Sequence, residues 1–318
     1  MSDLLEFRLL KYIAVIAEVG NFTRAAEKLF TSQPSLSHQI IDLEDGLGME
    51  IFERSRDRVT PTPGGLIIVE YAKEAVRTRN EVVKAALAVH HGEVPPLRLG
   101  FSCFVPTPIL EGFQRVYEAL FPACPAQLAG GDPARLADQL QRKTLDCALL
   151  PMPVKTDDLI VVQVASAPLV VCMREDDPLA RLTEIRPEEI ADRLRVFRAP
   201  ESHPAAHRRL MEMLGEIGIR PVVSCVASTP SELQWMVQRG FGLALIDQQI
   251  RLEPFLTARP IFGVRWSADT AFAHDPGADH LALPLLVRHL GRSSNGRRPP
   301  RRIPCSKGEG PVQLELLE

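Results

Sequence analysis

The chain has 318 residues, 45% hydrophobic and 24% charged, with a formal net charge of -3. That length exceeds one typical core, so two or three domains are expected, and the slight negative charge means that any nucleic-acid contact needs a local positive patch. No apolar run is long enough to span a bilayer, and the first residues lack the basic-then-apolar pattern of a secretory signal, so a soluble, cytoplasmic protein is expected.

In chain order, residues 3–47 predict three short helices. Leu9, Ile13 and Ile16 recur at helical spacing, and Gly20-Asn21 ends the first helix. Thr23 is expected to cap the second, whose Ala25 and Ala26 allow close packing. After the turn at Thr31, Ser32 is a good N-cap with Pro34 in the first turn, and Leu36, Ile40, Leu43 and Leu47 form one apolar stripe along the third helix. Two β-prone pieces around Ser55–Arg58 predict a small hairpin, or wing. Thr62-Pro63 starts a further helix that continues to about His91, roughly 40 Å at the usual rise per residue. Its apolar Val69, Ala72, Val76, Val83 and Leu87 keep near-heptad spacing, interrupted by Arg79 and Asn80.

After the linker at Gly92–Pro96, strand-like runs (Leu97–Phe101, Cys147–Leu150, Leu169–Met173, Leu194–Phe197, Val222–Val226, Leu243–Ile246) alternate with helical segments. That alternation predicts parallel-sheet α/β lobes. From Gly291 to Glu318, arginines sit among Ser, Gly and Pro with little to bury, and a disordered tail is expected. Cys103, Cys124, Cys147, Cys172, Cys225 and Cys305 show neither a disulfide framework nor zinc spacing, so buried thiols in a reducing compartment are expected.

A helix that reads the major groove needs one face packed and the opposite face free. On the third helix the stripe takes the core side, and Pro34 and His38 point away from it, with Gln33 at the N-terminal end. Gln pairs bidentately with adenine, and a helix N-terminus attracts phosphate. Ser35 and Ser37 add hydroxyl donors. Residues 1–60 carry seven basic and ten acidic side chains, yet the positive groups concentrate at Arg24/Lys28 and at Arg54/Arg56/Arg58 on the wing. Those are the places where a winged helix straddles the backbone. The candidate DNA contacts are therefore Thr23, Arg24, Ser32, Gln33, Pro34, Ser35, Ser37, His38, Arg54 and Arg56. Read by periodicity alone, the same three helices are equally a plain bundle.

The string Phe22-Thr23-Arg24-Ala25-Ala26-Glu27-Lys28-Leu29, then Ser32-Gln33-Pro34-Ser35-Leu36-Ser37-His38-Gln39-Ile40, Leu43-Glu44, Leu47-Gly48 and Ile51-Phe52-Glu53-Arg54, closely resembles the LysR-type transcriptional regulators. Two departures stand out: His38 replaces the commoner arginine, and Pro61 takes the place of an apolar residue. The resemblance implies an all-α winged helix-turn-helix over 1–62, a dimerising linker helix over 63–91, and an α/β effector-binding domain over 92–290. It implies a pseudo-palindromic operator and a homodimer or homotetramer on double-stranded DNA. Leu97–Phe101, Leu145–Leu149 and Val237–Leu245 resemble the family's sensor strands and its glycine turn. The implied sensor is two-lobed and periplasmic-binding-protein-like, with lobe I at about 95–166 and 267–290 and lobe II at about 167–266. Crossovers are expected near Ser166–Leu169 and Phe262–Ser267.

Ligands of such folds sit beyond the carboxyl ends of the strands. Ser102, Phe104, Asp132, Arg198, Ala199 and Thr229 are then the candidate effector residues, each with a plainer role as turn former, cap or surface charge. Where the family more often has Ser or Thr, Asp132 puts a carboxylate at a helix start, so Arg198 or the Thr229 helix is expected to hold any anionic group. Asp247 stands where the family often has proline.

No phosphate loop, nucleophile elbow, His-Glu metal pair or close carboxylate pair occurs. No catalytic residue, metal or cofactor is expected. An enzyme built on the α/β lobes and a solute-binding protein are the competing classes, and the N-terminal module weighs against both.

Overall fold

The structure, a computed structural model, describes residues 5–55, 58–154 and 158–293. It divides into two compact units, residues 1–91 and 92–318.

The first unit begins with α1 (Phe7–Val19), α2 (Phe22–Leu29) and α3 (Gln33–Leu47). Gly20 closes α1 in the left-handed conformation, φ +67°, with its N–H donated to the Ile16 carbonyl. Asn21 then caps α2, its side-chain oxygen accepting the Arg24 N–H at 3.0 Å. The cap is therefore Asn21 and not Thr23, which lies exposed inside the first turn. One Gly-Asn pair ends one helix and starts the next, because the glycine supplies the positive φ and the amide supplies the acceptor. Ser32 caps α3 as predicted, accepting from the Ser35 N–H at 3.3 Å. Ile13, Ile16, Leu36 and Ile40 are fully buried in a shared core, each contributing roughly 1.5–3 kcal/mol.

The wing is an antiparallel pair, β1 (Phe52–Arg54) and β2 (Val59–Pro61), with Phe52 opposite Pro61. Arg56 lies outside the described residues. Helix α4 (Pro63–His91) opens on Thr62, whose hydroxyl donates to the Glu50 carbonyl and accepts from the Gly65 N–H, both at 2.8 Å. Its apolar positions do not form the single stripe that near-heptad spacing predicts. Val69 and Ala72 are buried in the core shared with α1–α3, whereas Val83 and Leu87 are exposed. The first part of the helix spends its apolar face on its own unit, and in the later part Ala85 and Ala88 are buried while Val82, Val83 and Leu87 are exposed.

The second unit is built from β3 (Leu97–Phe101), α5 (Thr107–Leu120), β4 (Ala126–Gly130), α6 (Pro133–Gln141), β5 (Cys147–Pro151) and β6 (Ile160–Arg174). A 3-10 turn, α7 (Pro187–Ile190), β7 (Leu194–Arg198), α8 (Pro204–Glu216), β8 (Cys225–Ala227) and α9 (Pro230–Gln238) follow. The chain then forms β9 (Leu243–Asp247), β10 (Leu256–Arg259), β11 (Ser267–His274) and α10 (Leu283–Ser293). The strands run in the order β4-β3-β5-β11-β6-β9-β7-β8, with β10 also on β6.

Strand β6 belongs to both lobes. Its first part pairs with β11 as far as Pro168, and from Leu169 it pairs with β9. The lobes are therefore mixed rather than all-parallel: β3, β4 and β5 pair in parallel, as do β7, β8 and β9, but β6 and β11 run antiparallel to every neighbour. A chain that crosses between sheets and returns puts its outgoing and incoming strands in opposite directions.

Lobe I packs around Leu136, Leu140, Ala148 and Ala271, while the sheet of lobe II has a core on each face. Asp146, at the head of β5, accepts from the Arg98 backbone N–H at 2.8 Å and pairs with its guanidinium at 2.6 Å, pinning β5 to β3. The strand expected over Val222–Val226 shrinks to Cys225–Ala227, and Val222 and Val223 are exposed before it. Helix α10 runs through Ser293, into the stretch expected to be disordered. Residues 294–318, the rest of that tail, lie outside the described residues.

Candidate DNA-binding surface and effector cleft

Helix α3 is polarised as its sequence predicts. Leu36, Ile40 and Leu43 are buried, and Gln33, Pro34, Ser35 and His38 are exposed on the opposite side. His38 Nδ1 lies 2.7 Å from the Asp42 carboxylate one turn on. In the turn before α3, Phe30 has positive φ, 54°, and is 97% exposed. Periodicity passes over it, because a residue in a turn carries no helical pattern.

Arg54 and Ser37 have partners inside the unit. The Arg54 guanidinium donates to Ser37 Oγ at 2.9 Å, lies 4.7 Å from the Phe22 ring centroid and reaches Glu44 Oε2 at 3.4 Å. The other Glu44 oxygen accepts the backbone N–H groups of Ile51 and Phe52 at 2.8 and 3.0 Å. Glu44, buried on α3, thus fastens the recognition helix to the wing, and Arg54 completes the clasp. Sequence reading identifies Arg54 but not this carboxylate, whose signal is an acidic residue on the apolar side of an amphipathic helix. Lys28 pairs with Glu18 at 2.8 Å, whereas Arg24 makes no side-chain ion pair among the described residues. Thr23 and Ser32 are exposed beside this face.

In the second unit the candidate residues gather at the carboxyl ends of the strands, where the lobes face each other. Ser102 and Phe104 follow β3, Arg198 ends β7 and Ala199 follows it, Asp132 precedes α6, and Thr229 caps α9. Among the described residues, three side-chain contacts cross between the lobes. The Arg198 guanidinium sits 3.8 Å from the Phe104 ring centroid, His203 Nε2 lies 2.8 Å from the Pro153 carbonyl, and the Cys103 thiol lies 3.8 Å from the Ser228 carbonyl.

Several candidates are occupied by local structure. Ser102 Oγ accepts the Phe104 N–H, Thr229 accepts the Glu232 N–H, and Ala199 bonds its backbone to Ala227 and Ser202. Asp132 makes no cap hydrogen bond. Burial lowers the Arg198 pKa to about 10, partly offset by Cys103 and Asp132, so the guanidinium is charged at neutral pH. Burial, and then Arg198, lower His203 to about 4. At the end of β9, burial raises the Asp247 carboxyl to about 6; the Gln249 N–H opposes this and Asp269 adds to it. The residue that sequence reading misses is His203, although its place directly before Pro204 is a helix-start signal.

No helix among the described residues is long and apolar enough to cross a membrane. In the fold comparison the chain is similar to full-length CbnR complexed with its target DNA: TM-score 0.56, 20% identity, 91% of this chain and 99% of that one covered. By sequence it is similar to the Hca operon transcriptional activator HcaR of Escherichia coli (strain K12), 32% identical over 188 residues, covering 57% of this chain and 61% of HcaR. It is also similar to the HTH-type transcriptional regulator AlsR of Bacillus subtilis (strain 168), 25% identical over 247 residues, covering 78% of this chain and 82% of AlsR. Residues 7–66 match the bacterial regulatory helix-turn-helix protein, lysR family, and residues 90–294 match the LysR substrate binding domain. With both units matched in this order, the chain belongs to the LysR family, as a DNA-binding transcriptional regulator whose activity a small-molecule effector modulates.

Proposed function

We propose that residues 1–62 read an operator through the exposed face of α3, with Gln33 and Pro34 entering the major groove and Ser35 and His38 beside them. Thr23, Arg24 and Ser32 flank the groove on the phosphate side, and Arg56, which lies outside the described residues, is a further phosphate contact. Ser37 and Arg54 act mainly by holding α3 and the wing in one register. The observation that carries this reading is the polarity of α3, with Leu36, Ile40 and Leu43 inward and Gln33, Pro34 and His38 outward. Helix α4 pairs two copies into a homodimer or homotetramer. Its exposed Ile67, Tyr71, Val82, Val83 and Leu87 support that role. Residues 92–290 bind the effector, and the protein acts in the cytoplasm without an enzymatic step or a cofactor.

A gel-shift series on the promoter region beside its own gene tests the contact surface. Gln33→Ala is expected to relax sequence preference while leaving the salt dependence unchanged. Arg24→Ala is expected to weaken binding to all sequences alike and to reduce the salt slope by about one. If both variants bind as the wild type does, the assigned face is wrong.

In the cleft, Arg198 is the residue that holds an anionic effector group, and Asp132 opposes it. Asp132→Ser is then expected to tighten carboxylate binding about threefold to tenfold, by removing a negative charge near Arg198. Titration calorimetry with sodium propionate checks this, and tighter binding by the wild type sinks it.

A further inference from the structure

Two polar atoms at the meeting of the lobes lack a hydrogen-bond partner among the described residues: Arg198 Nη2 and His203 Nδ1. Arg198 ends β7 and His203 directly precedes α8, and both side chains already reach lobe I, at the Phe104 ring and the Pro153 carbonyl. His203 is 5% exposed, so water does not readily serve it. A carbonyl only accepts, so the Nε2 facing Pro153 at 2.8 Å must carry the proton. Held neutral by burial and by Arg198, the ring then presents Nδ1 as a bare lone pair. Arg198 presents the opposite need, an N–H with no acceptor; its Nε is shared with Ser202 Oγ at 3.4 Å. Leaving a buried group of either kind unsatisfied is unfavourable, and a complementary ligand relieves it.

A simple carboxylate answers only the guanidinium, and a simple alcohol can bond both groups but leaves the Arg198 charge uncompensated. An amino acid offers both an acceptor and a donor, but its ammonium would lie against the Arg198 charge. We infer that the effector is a small hydroxycarboxylate. Its carboxylate accepts from Arg198 Nη2, its hydroxyl donates to His203 Nδ1, and its carbon skeleton lies against Phe104. This rests on the reading of the cleft as the effector site and adds the hydroxyl to it. Sites that read a hydroxyl through a buried polar group discriminate strongly against analogues lacking it, because the protein group is left unpaired.

The test uses the full chain and two matched sets of sodium salts or zwitterions: lactate, propionate and alanine, and mandelate, phenylacetate and phenylglycine. Melting temperature and calorimetric Kd are read at equal ionic strength. The expected result is that in at least one set the hydroxy acid binds at least tenfold tighter than both its deoxy and amino partners. His203→Leu is expected to bring the hydroxy and deoxy acids within threefold of each other, and Arg198→Gln to abolish binding of both. Because the ligand series is measured on the wild type, it decides even if a variant fails to fold. Deoxy acids binding as tightly as hydroxy acids, with Arg198→Gln still abolishing binding, overturns the hydroxyl inference and leaves the anion site standing. No stabilisation by any of the six, or binding unchanged in Arg198→Gln, overturns both.

Discussion

Replacing Glu44 by alanine is expected to destabilise the first unit by about 3–5 kcal/mol and to abolish the gel shift at protein concentrations that saturate the wild type. The side chain accepts two backbone N–H groups, from Ile51 and Phe52, and neighbours the Arg54 guanidinium. Alanine removes the acceptor and leaves both buried donors without one, because β1 begins at Phe52 and has no second strand on that side among the described residues. It also strands Arg54 over the Phe22 ring without its carboxylate. Glu44→Gln keeps one oxygen for the two N–H groups but turns a donor toward Arg54, so an intermediate loss is expected. Urea denaturation followed by far-ultraviolet circular dichroism reads the stability. An alanine variant within about 0.5 kcal/mol of the wild type would remove the clasp from the account.

Gly65→Ala is expected to be comparably severe, losing at least about 3 kcal/mol together with DNA binding. A Cβ at Gly65 falls 1.9 Å from the Ile51 carbonyl oxygen and 2.9 Å from Thr62 Oγ1. That carbonyl already accepts the Thr62 N–H at 2.9 Å, so the start of α4 and the entry to the wing meet backbone to backbone. Neither side has a flexible group that could yield. Its neighbour provides the control. A Cβ at Gly64 meets only the end of the Met49 side chain, which is partly exposed and free to move. Gly64→Ala is therefore expected to be neutral, or to stabilise by about 0.5–1 kcal/mol through helix propensity. The same denaturation experiment on the pair separates contact from propensity, since two adjacent helical glycines with equal losses would refute the steric account.

The two predictions share a cause. The wing is a hairpin of two three-residue strands, too short to stand alone, and its position is set by α3 through Glu44 and by α4 through Ile51. Weakening either joint moves the recognition helix relative to the wing, so a variant that touches no DNA still changes DNA affinity.

Local pattern was sufficient for much of this protein. Spacing of leucine and isoleucine places α3 and its exposed face, Ser32 starts it, Thr62-Pro63 starts α4, and the alternation of runs marks β3, β5, β7 and β9. These features depend on residues within one or two helical turns of each other. Strand β11 shows where that reach ends: Ser267–His274 contains three alanines and an aspartate, weak strand formers, yet it runs through the middle of the sheet with its later residues buried. Burial between β5 and β6 makes it a strand, and no nearby residue announces this. In the same way β4 and β10 are short, partly exposed strands made by their neighbours.

The chain's own order of residues determined the helix-turn-helix, the outward-facing Gln33, Pro34 and His38, and the list of side chains near the strand ends. Tertiary structure alone decided which of those side chains are engaged and which stand open. It tied Arg54 and Ser37 to each other, occupied Ser102 and Thr229 as turn and cap, and brought His203 and Arg198 to the lobe boundary with unmet hydrogen bonds. Hydrogen-bond satisfaction is a property of three-dimensional neighbours, many of them distant in the chain, and periodicity carries no trace of it.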